Sequence, residues 1–157
     1  MDNCNLKIKD TLQTTFDLSQ YIIIRDIILL VSIYFFYTNS SYDTFVIFVK
    51  YYILMLILRW IISNITSISI DVEGIENEKN NKKYFQISGH MMAFTLLILL
   101  CIDNNLFGLS NNLVLVYALI ISYSLLNIFT KSHYSYDILT TVLLTYSIYN
   151  LSKNVKI

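Results

Sequence analysis

Five apolar stretches, each 17–19 residues long, run through this chain at residues 21–37, 44–62, 85–102, 113–129 and 134–151. About 20 apolar residues in a helix span the ~30 Å hydrocarbon core of a bilayer. A chain of 157 residues has little interior of its own in which to bury five such segments. Inside lipid every backbone N–H and C=O must be satisfied within its own segment, so each stretch is expected to be helical. Proline is absent and glycine occurs three times, which leaves few helix breakers. The expected fold is therefore all-α: a polytopic membrane bundle of about five transmembrane helices.

Composition agrees. Hydrophobic residues make up 55% of the chain and charged residues 14%, against roughly 45–50% and 25% in a soluble domain. Lys50 and Arg59 in the second stretch are tolerable by snorkelling, and Arg25 and Asp26 near the start of the first by tilt, interfacial tyrosines or helix–helix burial. The formal net charge is zero, so nothing argues for a nucleic-acid partner or another polyanion. Cys4 and Cys101 are too few and too far apart for a disulfide framework or a zinc site.

Residues 1–20 are polar, lack the basic start and clean apolar run of a signal peptide, and read as a solvated tail or an interfacial helix. Residues 66–84 form the longest connector, and their DVEGIENEKNNKK run reads as solvated and mobile. Residues 152–157 read as a polar C-terminal tail. With no internal repeat, residues 21–151 are expected to form one membrane domain.

The chemistry rests on two histidines. Ser88-Gly89-His90 ends the charged connector and opens the third stretch; His133 opens the fifth, with Asp137 one helical turn later. His133 and Asp137 therefore share a helix face. A carboxylate there can accept a hydrogen bond from one imidazole nitrogen and raise the basicity of the other. His90 follows two crossings and His133 follows four, so both are expected on the same side of the membrane. Paired imidazoles suit phosphoryl or phosphodiester transfer, one attacking phosphorus and the other exchanging protons with the departing and incoming alcohols. The amides of Ser88, Gly89 and His90 at a helix N-terminus are candidate phosphate donors. Arg59, Lys82, Lys83 and Lys131 are candidate cations. Two histidines and one aspartate at these spacings match no zinc pattern, and no metal or other cofactor is expected.

The motifs SGHMMAF and HYSYDILTTV resemble the two histidine motifs of the sphingomyelin synthase family, within the phosphatidic acid phosphatase type 2 superfamily. Leu58-Arg59 followed by Thr66-Ser67 is similar to that family's Leu-Arg helix and the segment after it. The resemblance covers residues 50–151. It implies transfer of a phosphocholine or phosphoethanolamine head group from a glycerophospholipid donor to ceramide or a related lipid alcohol. His133 would be the nucleophile, Asp137 its partner and His90 the acid/base residue, with Ser88, Gly89 and Arg59 binding phosphate. The superfamily's phosphatases carry a Lys-x6-Arg-Pro motif and a Ser-Arg pair before the second histidine. Neither stands here, and Leu126-Asn127 occupy the place of the Ser-Arg pair. A phosphate monoester carries more charge than a diester, so missing cations favour transfer over monoester hydrolysis.

A lipid phosphatase or phosphodiesterase, with water as acceptor, is the alternative reading. A catalytically degenerate membrane protein is the third. The resemblance implies a multi-pass protein of the Golgi, plasma membrane or another endomembrane, its site facing the lumen or exterior. Counting basic residues points the other way, since Lys7, Lys9, Lys79, Lys82, Lys83 and Lys131 fall on the site side. The family orientation is adopted, because cations near a phosphate site have a second reason to be there.

Overall fold

The structure, a computed structural model, describes residues 18–65, 87–130, 133 and 135–155, with two short strands at 6–7 and 70–71. The connector around those strands, with Lys82 and Lys83, and also Lys131, lies outside the described residues. The architecture is all-α. Five helices follow one another: α1 (Ile22–Asn39), α2 (Tyr42–Ile65), α3 (Gly89–Asp103), α4 (Leu113–Phe129) and α5 (Ser135–Val155). Short 3-10 turns precede α1 at Ser19–Tyr21 and join α3 to α4 at Leu106–Asn111. The strands β1 (Leu6–Lys7) and β2 (Ile70–Asp71) pair in parallel, tying two segments read from sequence as solvated.

Local chemistry sets the helix ends. Ser88 caps α3, its Oγ accepting from Met91 N at 3.3 Å, and Asn112 caps α4 by accepting from Leu115 N at 3.0 Å. Ser41 Oγ accepts from Thr44 N at 3.2 Å in the first turn of α2. Between α3 and α4 the chain reverses through left-handed backbone at Asn105, Phe107 and Gly108, a region that glycine enters without steric penalty.

The helix α3 is the axis. It is apolar all round, buries eleven of its fifteen residues and packs against all four other helices. Phe94 of α3 stacks on Tyr123 of α4 with ring centroids 4.2 Å apart. The outer helices turn apolar side chains outward: Ile23, Leu30 and Phe35 of α1, Ile53, Ile57 and Trp60 of α2, Val114 and Ile121 of α4, and Leu139 and Leu143 of α5 are all exposed. Buried positions hold Arg25, Ser88, Asn127, His133, Asp137, Thr141 and Thr145. An apolar core lies beneath this apolar exterior, whereas a soluble domain rarely exposes large contiguous apolar patches. Two helical spans, Ser19–Asn39 and Tyr42–Ile62, are long and apolar enough to cross a membrane.

Contacts between helix ends settle how the bundle is strung. At one end, Leu18 N donates to Phe129 O (2.9 Å), Ser88 N donates to Thr141 Oγ1 (2.9 Å), and Arg59 lies against Gly89. At the other, Asp103 meets Lys153, and Thr44 meets Asn104. The starts of α1, α3 and α5 thus share one end with the ends of α2 and α4.

The Ser88–Thr141 bond is a direct tie between the two histidine segments. Thr141→Val keeps the volume but strands the buried Ser88 N–H. Unfolding free energy should fall by about 1–3 kcal/mol, read by denaturation in detergent; an unchanged value would show that the tie is dispensable.

Candidate active site

The N-terminus of α3 places His90 at the centre of the shared end. Its Nε2 lies 3.2 Å from Asp26 Oδ1. That same oxygen accepts from Arg25 Nε at 2.9 Å and Arg25 Nη2 at 2.6 Å. Arg25 is almost wholly buried and Asp26 is half-exposed, so the pair presents its carboxylate towards His90 from the first turn of α1. Tyr123 reaches the same turn from α4, its phenol donating to Arg25 O at 3.5 Å.

His133, just before α5, and Asp137, in its first turn, are both buried, with His133 Nδ1 3.9 Å from Asp137 Oδ2. The spacing predicts a shared helix face, but α5 begins only at Ser135 and His133 stands in a bend two residues before it, so the pair is not a helical one, and the separation exceeds a hydrogen bond. Catalytic hydrogen bonds of this kind are often long before substrate binds. The Asp137 carbonyl accepts from Thr141 Oγ1 at 2.6 Å, and Thr141 in turn accepts from Ser88 N. One chain of hydrogen bonds therefore runs from the second histidine motif into the first. His133, Arg25, Asp26 and Arg59 all act electrostatically on the His90 imidazole.

Arg59 reaches this cluster from the last part of α2. A Cβ added at Gly89 would meet Arg59 Nη1 at 2.7 Å and Tyr52 Oη at 3.9 Å. Glycine is thus what allows the guanidinium to lie over the first turn of α3. A helix N-terminus carries partial positive charge and amides without intrahelical partners. With Arg59 beside it, the spot is suited to an anion. The donor set is narrower than the sequence suggests. Ser88 N is engaged by Thr141, and Met91 N by the Ser88 hydroxyl. Gly89 and His90 supply the remaining first-turn amides.

All six site residues expected from sequence (Arg59, Ser88, Gly89, His90, His133 and Asp137) stand at one end of the bundle. Lys82, Lys83 and Lys131 fall outside the described residues. Sequence reasoning noted Arg25 and Asp26 but left them out of the site. An adjacent charge pair inside an apolar helix was the available signal, since ionisable groups in such segments mark functional positions. Among the described residues no group of three or more His, Cys, Asp or Glu side chains is arranged to hold a metal ion.

No protein-family model matches this chain, and no curated protein or solved structure matches it either.

Proposed function

We propose that this chain is a five-span membrane enzyme that moves a phosphorylated head group from a glycerophospholipid to ceramide or a related lipid alcohol, in the manner of sphingomyelin synthases. Its observational basis is the convergence of His90 and His133 at one end of the bundle. Each has a carboxylate neighbour, Asp26 at 3.2 Å and Asp137 at 3.9 Å, and Arg59 lies over the adjoining helix N-terminus. The multi-pass reading is supported by the apolar exterior of α1, α2, α4 and α5. In a multi-pass protein of an endomembrane or plasma membrane, this end of the bundle faces the lumen or exterior.

The chemistry proceeds in two displacements. With one His133 nitrogen turned towards Asp137, the other attacks the phosphorus of the donor diester. The bond from phosphorus to the glycerol oxygen breaks, and His90 protonates that oxygen, so diacylglycerol leaves. The head group remains on His133 as a phosphohistidine. His90 then takes the proton of the acceptor's primary hydroxyl, whose oxygen attacks phosphorus and releases His133. The non-bridging oxygens sit against Arg59 and the amides of Gly89 and His90, where developing negative charge is stabilised. Arg25 fixes Asp26, and Asp26 holds one nitrogen of His90 so that the other is left for proton exchange.

Expression in cells lacking sphingomyelin synthesis, fed fluorescent ceramide, tests the proposal. A new fluorescent phospholipid on chromatography, dependent on ceramide and on a glycerophospholipid donor, is the expected result. Release of phosphate or phosphocholine regardless of ceramide would replace transfer with hydrolysis. A glycosylation tag at either terminus checks the orientation.

Gly89→Ala should push the Arg59 guanidinium off the first turn of α3. Losing one charge-assisted contact to the phosphate lowers kcat/KM for the donor by about tenfold or somewhat more. Most of the change should appear in KM, with the thermal midpoint little altered. Wild-type kinetics in this variant would remove Arg59 from the phosphate site.

A further inference from the structure

The end of the bundle away from the histidines holds a second polar cluster, which head-group transfer does not use. Asp103, the last residue of α3, accepts hydrogen bonds from the Tyr149 phenol at 2.6 Å and the Lys153 amine at 2.7 Å, both from α5. Beside it Thr44 Oγ1 donates to Asn104 Oδ1 at 3.2 Å, and the rings of Tyr51 and Tyr149 meet edge to face at 5.7 Å. With Ile47 and Leu100 these side chains line a cavity of about 310 Å³, within the range of small-molecule sites. His90 lies 13 residues back along α3, or ~20 Å at 1.5 Å per residue. The two sites are separate.

We propose that this cavity binds the zwitterionic head group of a phospholipid in the leaflet opposite the histidines. The proposal rests on the membrane reading above and is independent of the transfer chemistry. The cavity offers one anion and one cation, already paired with each other. A zwitterion enters by exchanging partners. Its ammonium takes Asp103 beside the Tyr51 and Tyr149 rings, whose faces attract cations. Its phosphate takes Lys153, whose side chain is 58% exposed and free to turn outward. Four charges then alternate and the net charge stays zero. Asn104 Nδ2 donates one hydrogen to Leu100 O at 2.8 Å and keeps a second for a phosphate oxygen.

A purely anionic head group fits poorly, because it satisfies Lys153 while facing Asp103. The acyl chains have a track as well. Ile47 lines the cavity, and Leu54 and Ile61 follow it at intervals of seven residues along α2, all three exposed. Positions two turns apart share a helix face.

The test uses the full chain in nanodiscs of phosphatidylglycerol containing a minor share of phosphatidylethanolamine. Lipid retained after release into mild detergent is identified by native mass spectrometry. Wild type should retain phosphatidylethanolamine over phosphatidylglycerol by about tenfold, and Asp103→Asn or Lys153→Ala should each remove most of that preference. Ile23→Ala, an exposed position at the other end and outside both sites, should leave it standing. Lys153 is exposed, so Lys153→Ala keeps the test available if Asp103→Asn fails to fold. Equal retention of both lipids by wild type, or an undiminished preference in Lys153→Ala, overturns the site. Soluble phosphoethanolamine should not displace the lipid at millimolar concentration; displacement there would overturn the assignment to a lipid. A chain that leaves the nanodisc overturns the membrane reading along with this proposal. A chain that stays inserted without preference overturns the proposal alone.

Discussion

His133→Ala is expected to abolish transfer, lowering kcat/KM by about 10⁴-fold or more, as loss of a covalent nucleophile does. His133 is buried just before α5, and Asp137 in the first turn is tied into the bundle through Thr141. Truncation there removes the attacking nitrogen. His90→Ala should be comparably damaging with a natural donor, because diacylglycerol is a poor leaving group without a proton. The two variants separate when the donor is a nitrophenyl phosphocholine, whose leaving group needs no acid. His90→Ala should then form the phosphohistidine on His133 and stall, accumulating an acid-labile, alkali-stable label. His133→Ala should form none. Label at another residue, or equal label in both variants, would contradict the assigned roles.

Asp137→Asn should lower kcat by about 10²- to 10⁴-fold while leaving KM for the donor nearly unchanged. The substitution keeps size and shape and removes the carboxylate charge. In wild type the carboxylate stands 3.9 Å from His133 Nδ1, and closing that gap on substrate binding would fix the imidazole's tautomer and stabilise its charged form. An amide at that place can present its N–H₂ group to the ring and favour the wrong tautomer. Single-turnover kinetics should show the loss in formation of the phosphohistidine rather than in its breakdown. A variant that transfers at the wild-type rate would remove the Asp137 carboxylate from the mechanism. Asp26 is a poorer subject for the same substitution. It neutralises Arg25, and a buried guanidinium without its carboxylate destabilises the fold by about 3–5 kcal/mol.

Much of the helix pattern was legible because apolar runs without proline leave the backbone little else to do. The fourth stretch, 113–129, coincides with α4. The third was read from residue 85, but α3 begins at Gly89, because the Ser88 side chain caps it there. The fifth was read to residue 151, whereas α5 runs to Val155. Its last turn carries Lys153, whose partner Asp103 belongs to another helix, and a run of local hydrophobicity holds no trace of such a partner. The site was legible to the extent that it is local: the four-residue spacing brings His133 and Asp137 close, and the two helices between His90 and His133 return the chain to the same end. Arg25 and Asp26 were visible as charges yet could not be assigned. What makes Asp26 part of the site is that α1 begins beside the start of α3, a relation between segments more than 60 positions apart in sequence.

The order of residues alone determined that the chain is helical, where most of the helices lie, and that two imidazoles fall at or just before helix starts with two helices between them. Those properties follow from short-range rules: the hydrogen bonding of a backbone in an apolar medium, and the 3.6-residue turn. Only the tertiary structure decided that α3 is the axis, that Arg59 lies over Gly89, that Ser88 is tied to Thr141, and that Asp26 rather than a basic residue faces His90. Each of these is a packing of one helix on another. The energy that selects it is shared among side chains far apart in the chain, so no single segment of sequence carries it.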